Sequence, residues 1–195
     1  MRKIKDYYFK KAKQDKYPAR SVYKLEEIDN KCRLIKKDIK ILDIGCSPGS
    51  WSQFMLKKIG RGSILGIDIN NSIRIEDTRF TFMPGNIFDI ESSRIQKYIQ
   101  AFDLITSDAA PNTTGDSFID SQKSLNIVKR VFQIARDTLK PGGSVVAKVF
   151  QGRDLKAFVD GLKEDFSRVT LFKPKSSRKE SREIFLIAIT RRCER

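Results

Sequence analysis

Four stretches of this 195-residue chain put polar side chains inside or at the ends of apolar runs, where only a ligand or a partner charge would justify them. The first is Ile41-Leu42-Asp43-Ile44-Gly45-Cys46-Ser47-Pro48-Gly49-Ser50-Trp51, an apolar run that breaks into a glycine-containing turn before a helical pattern begins. Such a turn lets a ligand approach the backbone closely. Gly45 and Gly49, with Pro48 between them, do not match the GxGxxG spacing of a dinucleotide site, so no pyrophosphate cradle is indicated. Asp43 ahead of the turn and Asp68 at the end of the next run instead suit a ligand carrying an amino-acid group and a ribose, with Asp68 accepting from both ribose hydroxyls. That combination is the S-adenosylmethionine pattern. The plainer alternative is an ordinary tight turn with Asp68 capping a strand end.

The second stretch, Asp103-Leu104-Ile105-Thr106-Ser107-Asp108-Ala109-Ala110-Pro111-Asn112, delivers Asp108 at the end of a buried run, where a carboxylate would face a cofactor crevice. In the third, Val145-Val146-Ala147-Lys148-Val149-Phe150-Gln151-Gly152, a lysine interrupts an apolar strand and needs carboxylates or a ligand nearby. The fourth is a basic loop containing Lys175, Arg178, Lys179 and Arg182 that ends at Glu183, the start of the last strand. Read alone, Lys148 fits an edge position and the loop a solvated hairpin.

Composition narrows the chemistry. The chain has no histidine, which removes the commonest general base, the histidine-dependent triads and most zinc sites. Cys32, Cys46 and Cys193 are isolated and odd in number, so neither a disulfide framework nor a CxxC site is expected, and a reducing, intracellular compartment is. Lys and Arg total 39 against 24 Asp and Glu, a net charge of +15 that favours a polyanion as partner. No apolar run approaches the ~20 residues of a membrane span, and no membrane or metal partner is expected.

Short β-branched runs at 40–44, 63–68, 80–83, 102–107, 144–150, 168–172 and 183–190 alternate with helical patterns at 51–59, 90–98, 121–139 and 154–165. This alternation predicts an α/β fold with helices on both faces of a seven-stranded, mostly parallel sheet. The loop from Lys173 to Arg182 is too short for a crossover helix, so the last two strands are expected to be antiparallel. One domain over 1–195 is expected, with a basic, tyrosine-rich segment at 1–20 and a doubly wound core at 40–190. Between them, Val22, Leu25 and Ile28 show helical spacing over 19–28, a helix that carries Lys24.

Tyr23-Lys24-Leu25, the turn Pro48-Gly49-Ser50-Trp51, Ser107-Asp108-Ala109-Ala110-Pro111-Asn112, Lys148-Val149-Phe150-Gln151-Gly152 and the segment from Ser176 to Phe185 together resemble the FtsJ-type RNA 2′-O-ribose methyltransferases. The resemblance spans nearly the whole chain. It implies the Rossmann-like methyltransferase fold, S-adenosylmethionine as cofactor, and a Lys-Asp-Lys-Glu catalytic tetrad at Lys24, Asp108, Lys148 and Glu183. It also implies cofactor contacts at Gly49, Trp51, Asp68, Asp108 and Asn86, beside Asp43, Gly45 and Pro48 of the turn. Many relatives carry Asp at the Asn86 position. An amide oxygen accepts the same hydrogen bond without charge assistance, a loss on the order of 1 kcal/mol.

The branch most resembled methylates a uridine ribose in large-subunit ribosomal RNA, which implies ribosomal RNA or a pre-ribosomal particle as partner. Methylation of a transfer-RNA anticodon loop, or a non-catalytic ribosome-assembly role, are the alternatives. Mitochondrion, nucleolus and cytoplasm stay open as compartments, the branch tilting towards the mitochondrion. RNA contacts are expected at Lys10, Lys11, Lys13 and Arg20 beside Lys24, and at Lys175, Arg178, Lys179 and Arg182 beside Glu183, on opposite banks of one cleft. An ordinary lysine, with pKa ~10.4, is almost wholly protonated near neutral pH. Lys148 as a general base therefore stays open, and Lys148 as a cation stabilising the developing alkoxide is favoured.

Overall fold

Along each strand successive side chains point to opposite faces, and in this protein both faces are apolar. The computed structural model describes residues 2–193; residues 1, 194 and 195 of the expected domain lie outside the described residues. In chain order the elements are α1 (Arg2–Gln14), α2 (Val22–Cys32), β1 (Lys40–Ile44), α3 (Ser50–Lys58), β2 (Ser63–Asp68), β3 (Phe80–Pro84), α4 (Ser92–Gln96), β4 (Phe102–Ser107), α5 (Ser117–Thr138), β5 (Leu139–Phe150), α6 (Leu155–Asp165), β6 (Phe166–Phe172) and β7 (Glu183–Arg191). The strands form one sheet ordered β3-β2-β1-β4-β5-β7-β6. Only β7 runs against its neighbours, pairing antiparallel with β5 and β6.

The alternation sorts the core into two layers. Val145, Ala147 and Val149 join Ile184 and Leu186 against α5 and α6. Val146 joins Phe185 and Ile187 against α1, α2 and α3, where Val22, Leu25, Trp51 and Met55 are buried. The same parity assigns the polar residues. Lys148 follows Val146 on the α2 face, and Glu183 precedes Phe185 on that face, so both are aimed at the helix that carries Lys24. Because β7 is antiparallel, its first residue stands opposite the last residue of β5, Phe150, at the sheet edge where parallel strands end.

Several boundaries differ from the sequence reading. Helix α2 starts at Val22 and runs past Ile28 to Cys32, because Asp29 is buried, pairs with Lys58 at 2.5 Å and accepts the Ile35 amide at 2.8 Å. Helix α5 begins at Ser117, where the Asp116 side chain accepts from the amides of Phe118 and Ile119. Strand β5 begins at Leu139 and not at 144, so Lys140-Pro141-Gly142-Gly143 is an irregularity inside the β4–β5 ladder. The basic segment at the amino terminus is a helix through Gln14, its Ala12 buried in the second layer. The final pair is antiparallel as expected, but β7 inserts between β5 and β6 and leaves β6 at the edge.

Candidate active site

Sheet order reverses between β1 and β4, and the carboxyl ends of those strands open a cleft of about 370 Å³ lined by Gly45, Ser47, Asp68, Asn86 and Asp108 among others. Gly45 is what lets the two loops meet. Its φ is +73°, and a Cβ there would lie 2.7 Å from the backbone of Ala109, the residue after Asp108. Asp68 at the end of β2 is fixed by two amides, Ser47 N–H at 2.9 Å and Asn70 N–H at 2.7 Å, one on each carboxylate oxygen. Each oxygen keeps acceptor capacity towards the cleft. The Asn86 amide oxygen accepts from Phe88 N–H at 3.1 Å, and its NH₂ is left without an intramolecular partner among the described residues. Ile69 and Phe88, both exposed, stand at the mouth as apolar surfaces for a planar group.

Two lysine–carboxylate pairs adjoin the cleft. Lys148 Nζ lies 3.0 Å from Asp108 Oδ1 without hydrogen-bond alignment, and donates instead to the Asp108 backbone oxygen at 2.5 Å. Asp108 Oδ1 is thus a buried acceptor still lacking a donor. Lys24 Nζ meets Glu183 Oε1 at 2.5 Å, and Ser177 Oγ donates to the same oxygen at 2.9 Å. Burial pushes the Glu183 carboxyl up, but Lys24, Ser177 and Lys148 outweigh it and hold the group below the usual carboxylate range. The structure therefore brings Lys24, Asp108, Lys148 and Glu183 into two linked pairs.

Two side chains expected at the cofactor point elsewhere. Asp43 is wholly buried beneath the cleft, accepting from Ser52 Oγ at 2.6 Å and Thr106 Oγ1 at 2.9 Å, and so ties α3 and β4 to β1. Trp51 turns its ring into the core, 2% exposed, donating Nε1–H to Ser21 O at 2.9 Å and packing against Phe185. It steadies the start of α2 and, through Phe185, the strand beside Lys148. Pro48 and Gly49 lead into α3 without lining the cleft; what this turn offers a ligand is the amides at the α3 amino terminus, which no side chain caps.

Burial raises the Asp43 carboxyl to about 7, against the two hydroxyl donors that lower it, with smaller upward pushes from Asp108 and Asp68. An unfolded Asp titrates near ~3.9. Below that value both states hold the proton. Between pH 4 and 7 only the folded state does, so this group's contribution to stability falls as pH rises, by on the order of 4 kcal/mol in all. Asp43→Asn should remove that decline. Urea midpoints at pH 4.5 and pH 7.5 should shift in the variant's favour at the higher pH; a constant gap would contradict the assignment.

The two basic segments touch at Arg20 and Ser176, and beside that contact a recess of about 560 Å³ is lined by Lys11 from one and Lys175 from the other. Arg20 Nη2 donates to Ser176 O at 2.9 Å, and Glu27 accepts the consecutive amides of Lys175 and Ser176 at 2.7 and 2.8 Å. Glu27 was not legible as a site residue. It lies one turn after Lys24 on α2, and its carboxylate clamps the loop that places Ser177 against Glu183. Lys11 and Lys13 stack over Tyr23 and Phe9, at 4.4 and 4.9 Å from the ring centres, and Lys10 is exposed on α1. Lys175, Arg178 and Lys179 are exposed, whereas Arg182 crosses to Ser117 O at 2.9 Å.

A doubly wound sheet with a cleft at its switch point, bordered here by lysine–carboxylate pairs, is the architecture of the nucleotide-binding α/β class. The family model described as FtsJ-like methyltransferase matches residues 17–191, and the chain belongs to that family. It is 48% identical over 188 residues to the ribosomal RNA large subunit methyltransferase E of Brachyspira hyodysenteriae, covering 95% of each chain. It is 42% identical over 192 residues to the protein of the same name from Nitratidesulfovibrio vulgaris, covering 97% of this chain and 94% of that one. A ribosomal RNA methyltransferase of Plasmodium falciparum superposes with a TM-score of 0.79 at 30% identity, over 91% of this chain and all of that one. Human methyltransferase-like protein 13, solved with SAH, shares the fold at a TM-score of 0.62 and 16% identity, over 87% of this chain and 79% of that one.

Proposed function

We propose that this protein transfers the methyl group of S-adenosylmethionine to a ribose 2′-hydroxyl of RNA, its target a uridine of large-subunit ribosomal RNA. The observation that carries the reading is the convergence of Lys148–Asp108 and Lys24–Glu183 beside the cleft, in a member of a methyltransferase family whose close relatives are named for large-subunit ribosomal RNA. Those names favour the ribosomal branch over the transfer-RNA one. When bound, S-adenosylmethionine supplies a methyl group activated by a sulfonium.

The residues divide the remaining work. Asp68 would accept from the ribose hydroxyls of the cofactor, Ile69, Phe88 and Asn86 would hold its adenine, and the α3 amides would receive its carboxylate. Asp108 Oδ1, buried and without a donor, is placed to orient the cofactor's cationic end. Lys148, hydrogen-bonded to the Asp108 backbone oxygen and ion-paired with its carboxylate, keeps N–H donors free for the 2′-oxygen as that oxygen attacks and its proton leaves to solvent. Lys24, fixed by Glu183, grips the substrate beside it. Alignment of the oxygen with the methyl carbon supplies part of the ~7–11 kcal/mol that positioning offers. The two relatives compared by sequence are bacterial, which supports a cytoplasmic site of action and withdraws the mitochondrial tilt.

The test is methyl transfer from radiolabelled S-adenosylmethionine to ribosomal RNA or large subunits. A label recovered in alkali-resistant dinucleotides is expected, since a 2′-methyl blocks cleavage of the following phosphodiester. Label confined to bases, or none, would overturn the reading.

A further inference from the structure

We propose that a recess just beyond the carboxyl end of β5 seats the unpaired base of the RNA nucleotide next to the methylated one, an assignment that rests on the RNA-methylation reading above. The recess has a volume of about 400 Å³ and is lined by Phe118, Gln151, Arg153 and Arg182 among others. Its walls are fastened. Arg182 Nη1 donates to Ser117 O at 2.9 Å, and Gln122 Nε2 donates to Asp154 Oδ2 at 2.6 Å, tying α5 to the residue that precedes α6. The floor closes only because residue 152 is glycine: a Cβ there would stand 2.7 Å from the Ser121 side chain.

What the recess presents is specific. Asp116 already occupies the first amides of α5, at 2.7 and 2.9 Å, so the helix end offers nothing to an anion. The Phe118 ring, by contrast, is 57% exposed. Beside it Arg153 is exposed and makes no hydrogen bond or ion pair among the described residues, and the side-chain amide of exposed Gln151 likewise has no partner there. An aromatic face next to a guanidinium and an amide matches what single-stranded RNA offers: a base to stack, a phosphate, and a base edge with donors and acceptors. The net charge of +15 favours this polyanion over an apolar protein segment.

Position selects the neighbouring nucleotide. Gln151 N–H donates to Arg182 O at 3.0 Å, extending the β5–β7 ladder one residue past the Phe150–Glu183 pair. Gln151 is three residues from Lys148, about 10 Å at ~3.3 Å per residue. That offset exceeds the reach of the base whose own ribose sits at Lys148.

The experiment uses an RNA that the wild-type protein methylates, and the same RNA with a single abasic nucleotide on either side of the methylated one. Phe118→Ala should weaken RNA binding roughly 5- to 150-fold, the span expected for one base–aromatic stack, while Phe118→Trp retains it. One of the two abasic RNAs should bind wild-type protein more weakly by the same factor, and Phe118→Ala should add nothing further on that RNA. S-adenosylmethionine affinity and the rate at saturating RNA should not move. Arg153→Ala should lower the slope of log affinity against log salt by about 0.7. Wild-type RNA affinity in Phe118→Ala, or a loss that persists undiminished on both abasic RNAs, would overturn the assignment and leave the methylation reading standing. Failure of the wild-type protein to methylate any RNA would overturn both.

Discussion

Lys148→Ala should abolish methyl transfer, with a rate loss of at least 10²–10³-fold, while S-adenosylmethionine binds with nearly wild-type affinity. The separation follows from geometry: Lys148 is fastened to Asp108 and belongs to the oxygen that attacks, whereas the cleft is lined by Asp108 and not by Lys148. Asp108→Ala should therefore impair both binding and rate. Glu183→Ala, which frees Lys24 without removing Lys148, should cost near the lower end of the 10²–10⁴-fold range for groups that assist proton transfer. Lys148 and Asp108 are both largely buried, so removing one charge leaves the other uncompensated at a stability cost of about 3–5 kcal/mol. Assays well below the melting temperature, with isothermal titration of S-adenosylmethionine as the control, separate the two effects. Substantial turnover by Lys148→Ala would remove the lysine from the chemistry.

Asp68→Ala should weaken S-adenosylmethionine by roughly 2–3 kcal/mol, about 30- to 150-fold in Kd, through loss of a charged acceptor for two hydroxyls. A second contribution arises from the protein itself. The Asp68 carboxylate holds the Ser47 and Asn70 amides, so its removal also loosens the turn after β1 and the loop carrying Ile69. Asp68→Asn keeps an acceptor for one of those amides and should fall between wild type and alanine. A Kd for Asp68→Ala equal to wild type would show that β2 does not end at the ribose.

The parts of this site that were legible in sequence are those whose local pattern is broken by function. Lys148 stands out because nothing apolar explains it, and strand parity then aims it, with Glu183, at the helix bearing Lys24. Asp43 breaks its pattern just as visibly, yet its side chain faces the core beneath the cleft. A carboxylate in an apolar run announces a partner but not its kind, and here the partners are the hydroxyls of Ser52 and of Thr106, the latter on another strand. Trp51 shows the opposite: its motif marks the cofactor turn, where its backbone amide is among those open at the start of α3, while its ring donates to Ser21 and packs on Phe185. Glu27 left no signal, since an acidic residue on a charged helix reads as solvated until the loop that it clamps, almost 150 residues later, is folded against it. The place of β7 between β5 and β6 was likewise invisible, because short connections specify antiparallel pairing and not which neighbour lies beyond.

The central claim is tested most directly by mapping ribose methylation across large-subunit ribosomal RNA from cells that lack this protein, then treating the isolated subunits with purified protein and S-adenosylmethionine. One 2′-O-methyluridine should be missing from those cells' subunits, and it should be restored by the wild-type protein and not by Lys148→Ala. An unchanged methylation map, or a mark restored equally by Lys148→Ala, would contradict it.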